Sequence, residues 1–356
     1  DGSAAIQPAA NAGKGSRLAL DEGIIIPGFV DLQVNGGDGI MFNDAPTLET
    51  LRRIARAHWS LGCAAILPTL ITDTPAKTQA AIDATIAAIK EQVPGIIGLH
   101  LEGPHLAKSR KGAHDGALIR PMDADDLRML LAAAARLPNL MVTLAPESVQ
   151  DTQITALAEA GVLVSLGHSD CSFERAMQAF DAGAGCVTHL FNAMSQLGSR
   201  TPGLVGAALS ADHVHAGLIA DGVHVHPAAM RLSIAAKMTG AGVFLVSDAM
   251  APAGSSLESF ELNGRMVTRH NGRLTLPDGT LAGADLTLAR AIGVLTQNVG
   301  IDLVQAITMA TSGPSALLRH PEGAGRFAGT LDGLSYLNVE QGTCRNLKDL
   351  IAPQWA

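Results

Sequence analysis

The sequence is poor in aromatic residues and in charge. Its 356 residues include 8 Phe, 2 Trp and 1 Tyr, and charged residues make up only 16%. So few aromatic side chains argue against a surface that stacks the bases of single-stranded nucleic acid. The formal net charge of −8 and the pI near 5.8 argue against any polyanionic partner. We therefore expect no nucleic acid to bind.

Cysteine motifs and long apolar runs are also absent. The four cysteines, at positions 63, 171, 186 and 344, are widely spaced and form no Cys-x-x-Cys motif. They indicate neither a zinc knuckle nor a disulfide framework, and a reducing, cytoplasmic setting is expected. The longest stretch without Asp, Glu, Lys or Arg, residues 182–199, contains His, Asn, Gln, Ser and Thr. It therefore predicts no membrane span.

The sequence contains short apolar runs that alternate with longer, alanine-rich amphipathic runs. Near-continuous apolar runs are typical of strands whose two faces are both covered. Such strands are predicted at 29–34, 64–67, 96–101, 141–145, 163–167, 186–189, 216–219 and 243–247. Helices are predicted between most of them, at 48–61, 75–90, 123–135, 152–160, 172–182 and 227–238.

Eight strands is the number that closes a parallel α/β barrel. The seven repeats between residues 29 and 243 average about 30 residues each, which is the length of one βα unit. An open doubly wound sheet is the alternative, but no Gly-x-Gly-x-x-Gly follows any of these strands. The sequence predicts an α/β fold of the TIM (β/α)8 type.

The pattern changes after the eighth predicted strand. Asn263-Gly264, Asn271-Gly272 and Asp278-Gly279 are each flanked by β-forming residues, which is typical of hairpins. Helical patterns return at 286–298 and 302–311. We predict the barrel at 23–318 and a small β domain built from both chain ends, with its N-terminal part at 1–22 and an atypical C-terminal part at 319–356.

Polar residues follow most of the predicted strands. In chain order they are Gln33, Asn35, Glu102, Glu147, His168, His189, Asp221, His224 and Asp248. Barrel enzymes place their chemistry at the carboxyl ends of the strands, so we expect these side chains to converge.

Glu102, His168 and His189 form a set of two histidines and one carboxylate. Zinc accepts such ligands, and a catalytic zinc keeps three protein ligands plus water. Fe²⁺ or Co²⁺ would also tolerate the set. Asp248 is left over, and a carboxylate beside an activated water is what a hydrolase needs to move protons.

Considered alone, each of these four residues could instead have a purely structural role. A single histidine after a strand is more often a hydrogen-bonded structural residue than a ligand. Glu102 has Arg110 and Lys111 nearby as ion-pair partners. Asp248 has the alternative of capping a helix, although Ala-Met-Ala-Pro-Ala-Gly is a poor helix start. Two histidines one barrel repeat apart, with a carboxylate upstream, favour the metal site.

Nine segments together resemble a known family. They are PGFVDLQVNG (27–36), LPTLIT (67–72), HLEGP (100–104), RKGAH (110–114), GHS (167–169), THLFNAM (188–194), ADGVH (220–224), SDAMAPAG (247–254) and LAG (281–283). In this order they resemble the N-acetylglucosamine-6-phosphate deacetylase family of the amidohydrolase superfamily. The resemblance covers roughly residues 23–318.

The resemblance implies a homodimeric TIM barrel with one divalent ion, commonly zinc, on Glu102, His168 and His189. Many relatives in the superfamily carry His-x-His after the first strand and bind a second metal there. This sequence has Gln33 and Asn35 instead. Amide side chains are poor zinc ligands, so one tightly bound metal is expected.

The resemblance also implies the reaction and its residues. Asp248 would act as general base and then general acid in hydrolysing the acetamide of N-acetylglucosamine 6-phosphate to glucosamine 6-phosphate and acetate. His114 would help to stabilise the oxyanion. Three residues would hold the sugar phosphate, and Arg200 would reach it from the partner subunit. Those three residues are Asn192, Ala193 and His224.

Other functions stay open at this stage. The sugar could be the galactosamine epimer, because these motifs do not report recognition at C4. A non-catalytic barrel that binds a sugar phosphate is a second alternative, although it would not need a proton shuttle. A cyclic-amide or nucleobase hydrolase is a third, but those usually depend on the first-strand His-x-His.

Overall fold

The computed structural model describes residues 20, 22–237, 242–321, 323–327, 331 and 333–351. Most of the predicted segment 1–22 and parts of 319–356 lie outside the described residues. The division of the chain at residues 22/23 and 318/319 therefore stays a prediction. Among the described residues, no helix has the length and apolar character needed to cross a bilayer.

The described residues form both strands and helices in regular alternation. The strands are β1 (Ile24–Pro27), β2 (Phe29–Val34), β3 (Gly36–Gly37), β4 (Ile40–Met41), β5 (Cys63–Ile71), β6 (Leu99–Glu102), β7 (Leu140–Leu144), β8 (Leu163–Leu166), β9 (Cys186–Val187), β10 (His215–Leu218), β11 (Val243–Leu245), β12 (Ser259–Leu262), β13 (Arg265–His270), β14 (Arg273–Thr275), β15 (Leu281–Ala284), β16 (Leu334–Asn338) and β17 (Thr343–Asn346). The helices are α1 (Leu48–Ser60), α2 (Pro75–Lys90), α3 (Ala124–Ala134), α4 (Asp151–Glu159), α5 (Phe173–Asp181), α6 (Gly203–Ser210), α7 (Pro227–Ala236), α8 (Leu288–Val294), α9 (Leu303–Ala310), α10 (Ser312–Ser315) and α11 (Leu347–Ile351).

Eight strands form one parallel sheet in the order β11-β10-β9-β8-β7-β6-β5-β2. The two ends of this sheet approach each other at the carboxyl side, where Val34 and Ala249 form a parallel bridge. The backbone N–H of Asn35 also donates a 2.8 Å hydrogen bond to the carbonyl of Ala249. The predicted TIM barrel is confirmed.

Local sequence explains both kinds of element. Every residue of β2 and of β7 is buried, because side chains fill the barrel interior and helices cover its outside. Helix α1 begins after Thr47, whose side chain accepts from the N–H of Thr50. Helix α2 begins after Thr74, which caps it in the same way, with Pro75 in the first turn. The caps fix the points at which the chain leaves the barrel mouth.

An antiparallel sheet, β12-β13-β14-β15, lies beside the barrel mouth. Its first two hairpins turn at Asn263-Gly264 and Asn271-Gly272, and all four of these residues have positive φ. Asn-Gly tolerates that conformation best, so the two turns confirm the hairpin signals. A parallel bridge between Ala249 and Ala284 joins the sheet to the end of the last barrel strand.

A second antiparallel sheet, β1-β16-β17, joins a strand near the start of the described chain to two strands near its end. Ile24 pairs with Leu337, and Leu337 pairs in turn with Cys344. A small sheet from the two ends of the described chain is therefore present, and its first strand, β1, lies within the range predicted for the barrel rather than at 1–22. It adjoins the barrel at β2 through the short link at Gly28.

Some predicted elements extend beyond those observed. The sixth strand, predicted at 186–189, ends at Val187, and His189 has a φ of +33°, which no extended strand accommodates. The helix predicted at 286–298 is α8 followed by a single π turn, Leu295–Val299, which ends at Gly300 with a φ of +79°. In both cases backbone geometry at one residue ends the element.

Candidate active site

A cavity of about 540 Å³ opens at the carboxyl end of the barrel strands. It is lined by nine residues that the sequence singled out: Asn35, Glu102, His114, His168, His189, Asn192, Ala193, His224 and Asp248. They come from loops and strand ends up to 213 residues apart in the sequence, so the closed barrel is what brings them together.

Three ligand atoms meet at one point of the cavity. Glu102 Oε1 lies 3.1 Å from His168 Nε2 and 3.0 Å from His189 Nε2. The two Nε2 atoms are themselves 3.1 Å apart. A tetrahedral ion held at about 2.0 Å from each ligand spaces them roughly 3.3 Å apart. The triangle of donor atoms therefore has the dimensions of a divalent metal site.

Neighbouring groups orient these ligands. His168 Nδ1 lies 2.8 Å from the carbonyl of Arg110, to which only a protonated Nδ1 can donate. With the hydrogen on Nδ1, Nε2 carries a lone pair and faces Glu102 Oε1 and His189 Nε2. Gln33 Nε2 donates a 3.3 Å hydrogen bond to the other oxygen of Glu102. Lone pairs brought this close together fit a bound cation, and hydrogen bonds of this kind fix metal ligands in place.

The charge of Glu102 agrees with such a site. Burial alone would raise its pKa, but the adjacent imidazoles of His168 and His189 hold the pKa well below the ordinary value. The carboxylate is therefore ionised. His189 Nδ1 is buried without a hydrogen-bond partner, so this residue is held mainly through its Nε2.

His114 lies next to the ligands, and its ring centroid is 4.4 Å from that of His168. Geometrically it belongs to a second possible ligand group with Glu102 and His168. However, the backbone N–H of Thr72 donates to His114 Nδ1 at 3.4 Å, and the Thr72 hydroxyl lies 2.8 Å from the same nitrogen. The ring hydrogen is then on Nε2, which makes His114 a hydrogen-bond donor rather than a ligand. Burial lowers its pKa to about 3, so the ring is neutral.

Asp248 lines the same cavity and is held by Asn35, whose Nδ2 donates a 2.7 Å hydrogen bond to Oδ1. Burial, and then the negative charge of Glu102, raise the pKa of Asp248 to about 6. The hydrogen bond from Asn35 acts in the opposite direction. A carboxyl group with a pKa near neutrality can both accept and donate a proton.

Three of the cavity residues that follow barrel strands, His168, His189 and Asp248, adopt left-handed backbone conformations. The φ angles are +47° at His168, +33° at His189 and +48° at Asp248. They follow three different barrel strands, each two or three residues after the strand ends. Non-glycine residues rarely adopt positive φ, and such strain is concentrated at functional sites. The sharp turn lets each side chain leave its strand and enter the cavity.

The residues predicted to hold the substrate divide into two groups. His224 lines the cavity and is fixed by Asp221, whose Oδ2 lies 2.6 Å from its Nδ1. Asn192 and Ala193 also line the cavity. Arg200 is exposed and is not among the described residues that line it.

The geometry excludes the structural roles considered for Glu102 and Asp248 and assigns one to Glu147. Arg110 pairs with Asp170 and not with Glu102, with contacts of 2.9 and 2.6 Å. No helix begins in the residues that follow Asp248, all of which are described up to Ser259. Glu147 follows its strand as predicted, but it accepts hydrogen bonds from Ser169 and the backbone of Asp170. It therefore supports the loop after β8.

Sequence reasoning missed the residues that surround the reacting groups. Thr72 holds His114, and its position after β5 is the signal that could have identified it. Leu262 and Thr280 line the cavity from the antiparallel sheet. Nothing in the hairpin pattern indicated that this sheet would reach the barrel mouth.

The fold and this site define a metal-dependent hydrolase of the TIM-barrel type. A model of the amidohydrolase family matches residues 24–329, and the chain belongs to the amidohydrolase family. Members of this family typically bind a divalent metal ion, in agreement with the ligand groups described above.

Several known proteins are similar over most of the chain. An N-acetylgalactosamine-6-phosphate deacetylase of Shewanella sp. (strain ANA-3) is 43% identical over 303 residues, which cover 85% of this chain and 76% of that protein. An N-acetylglucosamine-6-phosphate deacetylase of Haemophilus influenzae is 35% identical over 323 residues, with 90% and 80% covered. The crystal structure of N-acetylglucosamine-6-phosphate deacetylase from Pasteurella multocida has a TM-score of 0.88 at 32% identity, with 95% and 90% covered.

Proposed function

We propose that this protein hydrolyses the acetamide of N-acetylglucosamine 6-phosphate to glucosamine 6-phosphate and acetate. The observation that carries the proposal is the meeting of Glu102, His168 and His189 within 3.1 Å, in a cavity that Asp248 also lines. A cavity that only bound a sugar phosphate would not need a buried carboxyl group of raised pKa beside a set of metal ligands. The deacetylase names of the similar proteins support the same reaction.

The three ligand residues would hold one divalent ion, for which we propose zinc. When bound, such an ion lowers the pKa of water and polarises a carbonyl group. Gln33 and Asn35 occupy the places of a possible second ligand pair. Both are already used, Gln33 on Glu102 and Asn35 on Asp248. Their hydrogen bonds support a single metal per subunit.

Asp248 is proposed to move the proton. In hydrolysis, a C–O bond forms between the acetyl carbon and water, and the C–N bond to the sugar breaks. Ionised Asp248 takes one proton from the water and then gives it to the leaving nitrogen, so that the amine departs. The acetic acid that remains releases the second proton of the water to solvent and becomes acetate. The hydrogen bond from Asn35 occupies Oδ1, which leaves Oδ2 for the transferred proton.

His114 is proposed to stabilise the negative charge that develops on the acetyl oxygen. Its hydrogen lies on Nε2, and its neutral ring is fixed by Thr72. A donor held in place before the reaction stabilises an oxyanion without the cost of reorganisation.

The sugar phosphate is proposed to bind at Asn192, Ala193 and His224, with Arg200 supplied by the second subunit of a homodimer. The first three line the cavity, whereas Arg200 is exposed on the loop between β9 and α6. Four buried, unpaired cysteines support a cytoplasmic location.

N-acetylgalactosamine 6-phosphate is the second candidate substrate. The relative at 43% identity carries that name, whereas the solved structure with a TM-score of 0.88 carries the glucosamine name. The two sugars differ only in the configuration at C4. Comparing kcat/KM for the two substrates decides between them, and a clear preference for the galactosamine epimer would replace the glucosamine proposal.

Acetate release from both substrates, with and without a chelator, tests the proposed reaction. We expect release that the chelator abolishes and that added Zn²⁺ restores. Binding of the sugar phosphate without any acetate release would instead indicate a non-catalytic barrel.

A further inference from the structure

The cavity has an apolar end that the proposed reaction leaves unassigned. Ile71, Met250 and Leu262 line it, and all three are at most 5% exposed. They belong to one hydrophobic cluster, separate from the main core of the barrel, and Ala113 packs against it. Here we call Ile71, Met250 and Leu262 the apolar end.

The apolar end is built from both the barrel and the antiparallel sheet. Ile71 ends β5, and Met250 follows β11. Leu262 comes from the tip of the β12–β13 hairpin, where it pairs with Arg265. The Arg265 guanidinium donates to the carbonyl of Ala113, which precedes His114 in the chain. The hairpin tip is therefore tied to the loop that carries the proposed oxyanion donor.

Gly283 makes room for this arrangement. It has a φ of +64°, and a Cβ placed there would lie 2.4 Å from Met250 Cγ. A side chain at this position would displace Met250 from the cavity wall. The backbone of the antiparallel sheet thus fixes Met250 two residues beyond the proposed proton carrier, Asp248.

The chemistry of an amide decides what the apolar end holds. The reacting carbonyl carbon carries the sugar nitrogen on one side and the acyl carbon chain on the other. The sugar and its phosphate need the polar lining, which Asn192 and His224 provide beyond β9 and β10. The acyl chain then extends to the opposite side, toward the wall next to His114 and Asp248. That wall is the apolar end.

We propose that the apolar end is the acyl-binding subsite and that Leu262 and Met250 limit the acyl group to the length of acetyl. The proposal rests on the proposed function, because it concerns the substrate of the same reaction. An apolar wall against the acyl group excludes a longer chain by steric overlap, whereas truncating a side chain of the wall makes room for further methylene groups.

Kinetics with N-acetyl-, N-propionyl- and N-butyrylglucosamine 6-phosphate test the proposal. We expect the wild-type protein to lose about tenfold or more in kcat/KM from acetyl to propionyl, as one methylene in a tight pocket typically costs. In Leu262→Ala, the ratio of kcat/KM for propionyl to that for acetyl is expected to rise by about tenfold. Met250→Ala provides a second variant with the same expected direction.

Leu257→Ala is the matched control. Leu257 packs against the same hydrophobic cluster but is not among the described residues that line the cavity. The Leu257→Ala variant is expected to keep the wild-type ratio of kcat/KM for propionyl to that for acetyl. Circular dichroism shows which variants are folded, and a folded variant of either wall residue suffices for the test.

The outcomes separate the two proposals. Wild-type acetate release with an unchanged acyl preference in the folded wall variants would overturn the acyl-binding subsite alone. The same change of acyl preference in Leu257→Ala would also overturn the acyl-binding subsite, because the change would then come from looser packing of the whole hydrophobic cluster. No release of any acid by the metal-loaded wild-type protein would overturn the proposed function itself.

Discussion

Asn35 and Asp248 are joined by a 2.7 Å hydrogen bond, although 213 positions separate them in the sequence. The bond connects the residue after the first barrel strand to a residue after the last. It therefore spans the point where the barrel closes. It also leaves only one oxygen of the proposed proton carrier free, and it favours the ionised form of that carboxyl group.

Removing this hydrogen bond should move the pH dependence of activity. Ionised Asp248 is the proposed active form, so activity is lost as the pH falls through its pKa, which burial and Glu102 raise to about 6. Asn35 lowers that pKa, and Asn35→Ala should raise it by about one unit, since one unit corresponds to roughly 1.4 kcal/mol. The measurement is kcat/KM against pH at saturating metal. Asn43→Ala is the control, because Asn43 is buried and bonds to Asp73 instead. If kcat/KM falls at the same low pH in Asn35→Ala as in the wild type, the hydrogen bond does not affect the pKa of Asp248.

Replacing Asp248 by Asn should abolish turnover but retain the metal. The amide keeps the size of the side chain but cannot take a proton, and loss of a general acid–base group typically costs about 10²- to 10⁴-fold in rate. Single-turnover acetate release and metal analysis on the same sample measure the two properties. Full activity in Asp248→Asn would remove this residue from the mechanism.

Glu102→Gln and His189→Ala should each release the metal. The three donor atoms lie 3.0–3.1 Å apart. His189→Ala removes one of them, and Glu102→Gln replaces the carboxylate with an amide, which is a weaker ligand. Metal content after dialysis is the measurement. His224→Ala serves as control, since His224 lines the same cavity but bonds to Asp221. Metal retained in full by both ligand variants would contradict the proposed site.

Arg200→Ala should raise KM for the substrate with little change in kcat. If Arg200 donates one charged hydrogen bond to the phosphate, its loss costs about 1.5–3 kcal/mol, which corresponds to roughly 10- to 150-fold in binding. Arg128 provides a matched control, because it is exposed on α3 and pairs with Asp125. Equal KM values in Arg200→Ala and Arg128→Ala would rule out the phosphate contact.

The same variant tests the dimer. Arg200 is exposed in the single chain, so its proposed contact requires a second subunit. Mixing Arg200→Ala with Asp248→Asn forms some dimers in which one cavity has an intact Asp248 and receives Arg200 from the partner. Recovery of activity above that of either variant alone is expected. No recovery would place Arg200 outside the partner's cavity.

Several features of this protein follow from the sequence by itself. The eight apolar runs and their spacing predicted the barrel, because a βα repeat of constant length and a doubly covered sheet both leave a direct signal in hydrophobicity. The Asn-Gly dipeptides predicted two hairpins, since few other residues tolerate positive φ at both turn positions. The strand ends predicted the candidate ligands, because a closed parallel barrel brings all the carboxyl ends of its strands to one face.

Only the tertiary structure decided how those residues are connected. The sequence left Glu102 with alternative partners, and the fold placed it against His168 and His189 while pairing Arg110 with Asp170. It also brought the β12–β13 hairpin over the cavity, which supplied an apolar wall that no local pattern indicated. Hydrophobic periodicity reports whether a residue is buried, because burial has a local pattern. It does not report which distant segment a side chain meets, since that depends on the closure of the barrel and on the loops that cross its mouth.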